Sequence, residues 1–329
     1  MLNPNLYLNE KVFEENVEKA ATRDGFGNAM MKLGETNNNV VALTADLMES
    51  CKLDTFAEKF PTRFFECGVA EQNMANIGAG LAISGKIPFI TSFAVFSPGR
   101  NWEVIRTAAA YNNANIKIAG HHAGIATGPD GATHQATEDI SLMRVLPNFS
   151  VFVPCDVIEA EKATEKAAKI KGPVYLRFSR EKTPIITTKE TPFEIGNMPL
   201  FWISENPKVV IFAMGHLVYQ SLIAAKELEK EGIETLVVNT SIVKPLNKKA
   251  IIELAKETKA AVTVEDHQIA GGLGSAIAEV LAENLPTPIE FVGLRDIFAE
   301  SGEAQDLFKK YKIDKNSIKE AVRKVISRK

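Results

Sequence analysis

Residues 64–84, FFECGVAEQNMANIGAGLAIS, read as a short strand that runs into a helix. The aromatic and β-branched make-up of 64–69 suits a strand. Glu71 then opens a helical pattern over 72–84, with Met74, Ile77, Gly78 and Leu81 as its inner face. The small run Gly78-Ala79-Gly80-Leu81-Ala82 implies close packing with little water. An acid in a first helical turn is favoured by the helix dipole. An acid beside such packing is costly unless paired, and acids of that kind often serve function. Both readings of Glu71 stand at this point.

The same alternation continues on either side. Residues 38–45, 87–90, 116–119, 151–153 and 174–178 read as strands, and 24–35, 101–111 and 158–171 as helices. Residues 183–208 carry Pro184, Pro192, Pro199 and Pro207 without helical period, so they read as a linker or a shallow edge hairpin. A second series follows, with strands at 209–213, 235–238, 261–264 and 288–292 and helices at 217–231, 248–256 and 275–284. Residues 312–329 read as a charged, solvated helix. Alternation of this kind predicts an α/β fold. At about 150 residues per domain the length predicts two domains: two three-layer αβα units, 1–190 and 191–329, the second serving mainly as assembly surface.

The chain has 329 residues, 45% apolar and 24% charged. That composition excludes general disorder, collagen-like repeats and a disulfide scaffold. Lys plus Arg is 38 against 41 Asp plus Glu, net −3, which argues against a nucleic-acid coat protein. No run reaches 18 apolar residues, and Met1–Asn5 lacks a secretory pattern, so neither a membrane partner nor export is expected. Cys51, Cys67 and Cys155 are odd in number and widely spaced, which suits a cytoplasmic protein.

Ligands of α/β sheets sit beyond the carboxyl ends of the strands. The first strand runs into TADLMES (44–50), where Asp46 is either a helix cap or a site residue. The segment 120–135, GHHAGIATGPDGATHQ, holds four glycines and three of the five histidines, His121, His122 and His134. It reads as a loop, and loops carry function. A metal centre is disfavoured, because no ligands stand at short helical spacing and no CxxC or HExxH occurs. A sugar- or phosphate-binding loop fits better: His can shuttle protons, and Asp130 can accept from hydroxyls. The last strand of this half ends in LRFSR (176–180), and an arginine there suits a phosphate clamp or a surface charge. GGLGS at 271–275 reads as a tight turn before a helix, or as an anion site at its N-terminus. GxGxxG, GxxxxGK[ST] and GxSxG motifs are absent.

Taken together, these stretches resemble the C-terminal half of transketolase, the thiamine-diphosphate enzyme, nearly end to end. The carrying motifs are ATRD (21–24), TADL (44–47), GVAEQNM (68–74), FAVF (93–96), GPDGATHQ (128–135), LPN (146–148), RFSRE (177–181), VKPL (243–246) and EDH…GGLGS (265–275). The resemblance implies a pyrimidine-binding domain followed by the family's C-terminal domain. It implies that Glu71 hydrogen-bonds the aminopyrimidine ring and favours the imino tautomer that activates the cofactor, which then serves as electron sink. Phe93, Phe96 and Asp46 join the cofactor set. Asp130 reads a C2 hydroxyl and His134 lies near a C1 hydroxyl, completing the catalytic set with Glu71. His122, Arg180, Ser50 and Arg23 take the substrate phosphate. A third aromatic of the family is replaced by Gly99, with Trp102 as a candidate substitute. The GDG…N motif that holds Mg²⁺ and the diphosphate in this family is missing, so this chain is expected to supply no metal ligand. The resemblance therefore implies a partner: a separate N-terminal subunit supplying that wall, two of each chain in a heterotetramer, acting on sugar phosphates of the pentose phosphate pathway. Rival readings are a deoxyxylulose-phosphate synthase-like chain, which usually has a shorter loop with arginine in place of His122; a 2-oxoacid dehydrogenase beta-type subunit; and a non-catalytic scaffold.

Overall fold

A computed structural model describes residues 1–329. The strands, in chain order, are β1 (Lys19–Ala21), β2 (Val40–Thr44), β3 (Phe64–Glu66), β4 (Ile87–Phe93), β5 (Lys117–His121), β6 (Ser150–Phe152), β7 (Val174–Arg177), β8 (Lys182–Pro184), β9 (Leu200–Trp202), β10 (Val209–Ala213), β11 (Thr235–Asn239), β12 (Ile242–Lys244), β13 (Ala261–Gln268) and β14 (Ile289–Leu294). One sheet has the order β12-β6-β7-β5-β4-β2-β3 and is parallel except for β12. The other has the order β14-β13-β10-β11-β9 and is parallel except for β9. A short antiparallel ribbon joins β1 to β8.

Helices cover both faces of each sheet. On the first, Thr22–Thr36 and Val157–Lys169 pack Phe26, Met30, Ala160 and Ala163 against one face. Glu71–Ile83 lays Met74 and Ala75 on the other. On the second, Leu217–Lys230 and Lys315–Ile326 cover one face, and Lys248–Thr258 and Leu273–Asn284 the opposite one. The architecture is thus two αβα units. Strands covered on both sides need no alternation, and β2 (VVALT) and β10 (VVIFA) are buried throughout. Gly78 lets its helix approach the sheet closely, since a Cβ there would stand 2.7 Å from Ile90 Cγ2.

The two units are interlocked. A single core cluster joins Met74, Ile90 and Ile116 to Phe212, Ile251 and Ile277. β12 follows residue 190 in the chain yet pairs with β6, Ile242 opposite Phe152. The N-terminal segment packs in the other direction: Asn3 N donates to Phe201 O at 3.0 Å, and Leu8 and Val12 are buried in the second unit's core.

Several expectations change. Residues 183–208 form no hairpin; β8 and β9 belong to different sheets. The terminal helix is not merely solvated: Ile318, Val322 and Val325, at helical spacing, are buried against the second unit. Ile77 is 37% exposed, because the helix turns Met74, Ala75, Gly78, Ala79 and Ala82 inward instead. The helix expected over 101–111 is α-helical only at Trp102–Val104 and continues as a π-helix over Ile105–Tyr111.

Candidate active site

β4, β5 and β7 are neighbours, so their carboxyl ends bring Phe93, His121 and Arg177 to one edge. The sequence places both histidines at 121 and 122 in a loop; β5 in fact extends through His121, and the loop begins at His122. The two rings part company. His121 is fully buried between Phe26 and Phe178, with neither ring nitrogen bonded, and its pKa is held well below the ordinary value, first by burial and then by the neighbouring His122 and Arg23. It is a core residue. His122 takes φ +52° and turns to the opposite side, where its ring lies 3.9 Å from that of Phe93, centroid to centroid.

Around Phe93 the sequence candidates converge. Phe96 stacks with it at 6.0 Å, and the ring of His134 stands edge-on to Phe96 at 5.5 Å. Arg23 Nη1 donates to His122 Nε2 at 3.3 Å and to Ser50 O at 3.2 Å. Burial, then the positive charges of Arg23 and Arg180, push the His122 pKa down to about 3, so the ring is neutral at ordinary pH. Arg180 Nη1 donates to Thr127 O at 2.9 Å and to Asp130 Oδ1 at 3.4 Å. The two arginines share a footing, because Ser179 N donates to Thr22 Oγ1 at 2.8 Å. Arg23, Ser50, His122, Asp130, His134 and Arg180 thus sit along one rim.

Glu71 is 4% exposed, and its pairing requirement is met. Arg100 Nη1 donates to Oε1 at 2.9 Å and the guanidinium lies over the Phe96 ring, 4.1 Å from its centroid. Asn101 Nδ2 fixes the backbone carbonyl of Glu71 at 3.0 Å. Arg100 links the acid to the aromatic wall, a role sequence reasoning missed although Arg100 lies only four residues after Phe96.

Two candidates stand apart. Asp46 caps no helix: it is exposed, has φ +59°, and begins a turn in which its N–H donates to Glu66 Oε1 at 2.8 Å. Trp102 does not replace the missing aromatic, since its Nε1 donates to Leu142 O at 2.8 Å and its ring packs on the core. Position 99 itself has no room, because a Cβ would lie 1.9 Å from Val95 O.

The second unit does more than present surface. Asp266 accepts from Ile125 N at 2.9 Å and Ala126 N at 3.2 Å within the loop that carries His122 and His134. Arg177 is also not the phosphate clamp. It is 5% exposed, donates from Nε to Asp139 at 2.8 Å, and holds Asp266 O from Nη2 at 2.8 Å. The GGLGS helix start is already occupied: Leu273 N and Gly274 N donate to the Glu265 carboxylate at 2.7 and 2.8 Å, leaving no anion site.

Comparison with known proteins matches residues 18–185 to the transketolase pyrimidine binding domain and 202–318 to the transketolase C-terminal domain. The chain belongs to the transketolase family. A putative transketolase C-terminal section of Methanocaldococcus jannaschii is 44% identical, over 90% of this chain and 93% of the relative. A 6-deoxy-6-sulfo-D-fructose transketolase subunit of Clostridium sp. is 37% identical, over 96% of this chain and 98% of the relative. A solved structure described as a split gene transketolase, inactive beta4 tetramer, superimposes with a TM-score of 0.87 at 45% identity, covering 93% of this chain and 98% of that one. Within the transketolase family the chain therefore matches the C-terminal subunit of the split form, and its two αβα units are the family's pyrimidine-binding and C-terminal domains.

Proposed function

We propose that this transketolase chain works with an N-terminal partner subunit to move a two-carbon ketol unit from a ketose phosphate to an aldose phosphate, using thiamine diphosphate. The observation that carries this reading is the convergence of the Phe93–Phe96 wall, neutral His122, His134 and the paired Glu71 at one sheet edge. The need for a partner is supported by relatives of matching length that are themselves named a section or a subunit.

The residues fit the pyrimidine half of the cofactor. Glu71 offers a carboxylate with one oxygen bonded to Arg100 and the other unbonded within the chain. Phe93 and Phe96 offer the apolar face. When bound, thiamine diphosphate supplies the electron sink for breaking a carbon–carbon bond beside a carbonyl. Glu71 holds the ring by a hydrogen bond, Phe93 and Phe96 exclude water from it, and Asp46 adds a polar contact at its margin. Mg²⁺ and the diphosphate are assigned to the partner.

Arg23 and Arg180, with Ser50 and His122, hold the anionic end of the sugar. Two fixed guanidinium charges suit a phosphate dianion better than a singly charged sulfonate. Asp130 accepts from a substrate hydroxyl, and His134 exchanges a proton with the neighbouring one. We assign two of each chain, a cytoplasmic setting and a place in pentose phosphate metabolism. No helix is long and apolar enough to cross a membrane.

The test mixes this chain with a candidate subunit carrying GDG…N and supplies xylulose 5-phosphate with ribose 5-phosphate. Formation of seven- and three-carbon sugar phosphates supports the reading. Turnover of a 2-oxoacid without sugar transfer overturns it.

A further inference from the structure

The loop that carries His122, Asp130 and His134 is anchored by the other domain. Residues Ile125–Asp130 form 3-10 turns broken by a kink at Gly128, and the first begins at Gly124, which has no side chain to cap it. Asp266, 141 residues from Ile125, supplies the cap: Oδ1 accepts from Ile125 N and Oδ2 from Ala126 N, at 2.9 and 3.2 Å. Glycine at 124 is required twice over. Its φ is +78°, and a Cβ there would lie 2.1 Å from Asp266 Oδ2. Asp266 is 2% exposed, and burying a carboxylate is tolerated because both oxygens receive donors. His216 Nε2 lies a further 3.5 Å from Oδ2. Ile125 and Ala126 are themselves buried in the second domain's core.

The exit of the loop is fastened to the same strand. Arg177 Nη2 ties Ala136 O, at 3.2 Å, to Asp266 O, at 2.8 Å. Gln268 N donates to Thr137 O at 2.8 Å. The tip rests on the second domain as well, through Gln135 Nε2 to Glu300 O at 3.2 Å.

The cap lies one residue from the substrate rim. Thr127 follows Ala126, and its Oγ1 donates to His122 O at 2.5 Å while its carbonyl accepts from Arg180 at 2.9 Å. His122 is held at φ +52°, a region that residues other than glycine visit only when their surroundings impose it. We propose that Asp266 is a positioning residue: it caps the loop from the other domain and, through Thr127, sets His122 and Arg180 for the anionic end of the substrate. This rests on the function proposed above. It makes substrate affinity depend on a domain that contributes none of the assigned contacts.

The experiment uses the two-subunit enzyme and compares Asp266→Ala, Asp266→Asn and Gly124→Ala with wild type. Two readouts are taken: hydrogen exchange over residues 125–127, and KM and kcat for a phosphorylated and an unphosphorylated ketose donor. Asp266→Ala should speed exchange there and raise KM for the phosphorylated donor by about tenfold, the scale of one lost charge-assisted bond, with a smaller change in kcat. Asp266→Asn, which keeps one acceptor, should fall between. Gly124→Ala, which pushes on the same carboxylate, should resemble Asp266→Ala and carries the test if that variant does not fold. Unchanged exchange, or faster exchange with KM unmoved, overturns the proposal. If Arg180→Ala leaves KM for the phosphorylated donor unchanged, the assignment of the substrate rim fails instead, while the exchange result still decides whether Asp266 holds the loop.

Discussion

The ring of His122 lies against that of Phe93, with centroids 3.9 Å apart, while Arg23 donates to its Nε2. Burial and two nearby guanidinium groups hold the His122 pKa down at about 3, far below the ordinary histidine value. The unfolded chain therefore binds this proton more readily than the folded one. The resulting stability is complete above about pH 6.5 and is lost as pH falls toward 3. The Tm should drop between about pH 7.5 and 5, and His122→Asn should reduce that drop. Its ring signals in NMR should show no titration between about pH 8 and 5; a midpoint near 6.5 would mean that the ring is solvated.

Arg180 reaches Thr127 and Asp130 from the rim of the site. Arg180→Ala should raise KM for phosphorylated sugars by about ten- to a hundredfold, the scale of a lost charge-assisted bond. KM for an unphosphorylated ketose should change little. Steady-state kinetics on the paired substrates checks this, and an equal change for both would remove Arg180 from phosphate binding.

Glu71 is buried and paired with Arg100, and glutamine there would keep the shape while removing the charge. Glu71→Gln should lower kcat by at least about a hundredfold, the scale of a lost acid–base function. Co-elution with the partner on gel filtration should be unaffected. Full activity in this variant would withdraw the catalytic assignment.

At Gly99, which is exposed, a Cβ would stand 1.9 Å from the Val95 carbonyl oxygen. Gly99→Ala should destabilise the chain by about 1–3 kcal/mol, because the backbone must shift to admit the new Cβ, read from urea unfolding, and Gly99→Tyr should be worse. A stable, fully active Gly99→Tyr variant would show that the wall has room for a third ring.

Most of what is local was legible. Alternating apolar runs located β2, β3, β4, β5 and β10; the residues just beyond β3 and β5 led to Glu71 and to the loop of His122, while Phe93 came from the family resemblance. What escaped was carried by distance in sequence. Asp266 lies in the EDH motif at 265–267, but nothing local says that its carboxylate caps a turn at Ile125. Arg177 and Arg180 are three residues apart at one strand end, and only the fold separates a buried brace from a half-buried residue of the rim. β1 and β8 have three residues each, too short for any period to register. In the last helix four lysines and arginines are interleaved with the four-residue apolar stripe and conceal it. Trp102 beside an aromatic cluster suggested a replacement ring, whereas a hydrogen bond to Leu142 O turns it away.

We propose that this chain builds one wall of a thiamine-diphosphate site and is catalytic only when a partner supplies the other. The direct measurement is the rate of ketol transfer from xylulose 5-phosphate to ribose 5-phosphate, with thiamine diphosphate and Mg²⁺ present. It is taken for the purified chain alone and again after addition of the candidate N-terminal subunit. The chain alone should give no transfer, and transfer should saturate as the partner approaches equimolar amounts. Equal transfer by the chain without any partner would contradict it.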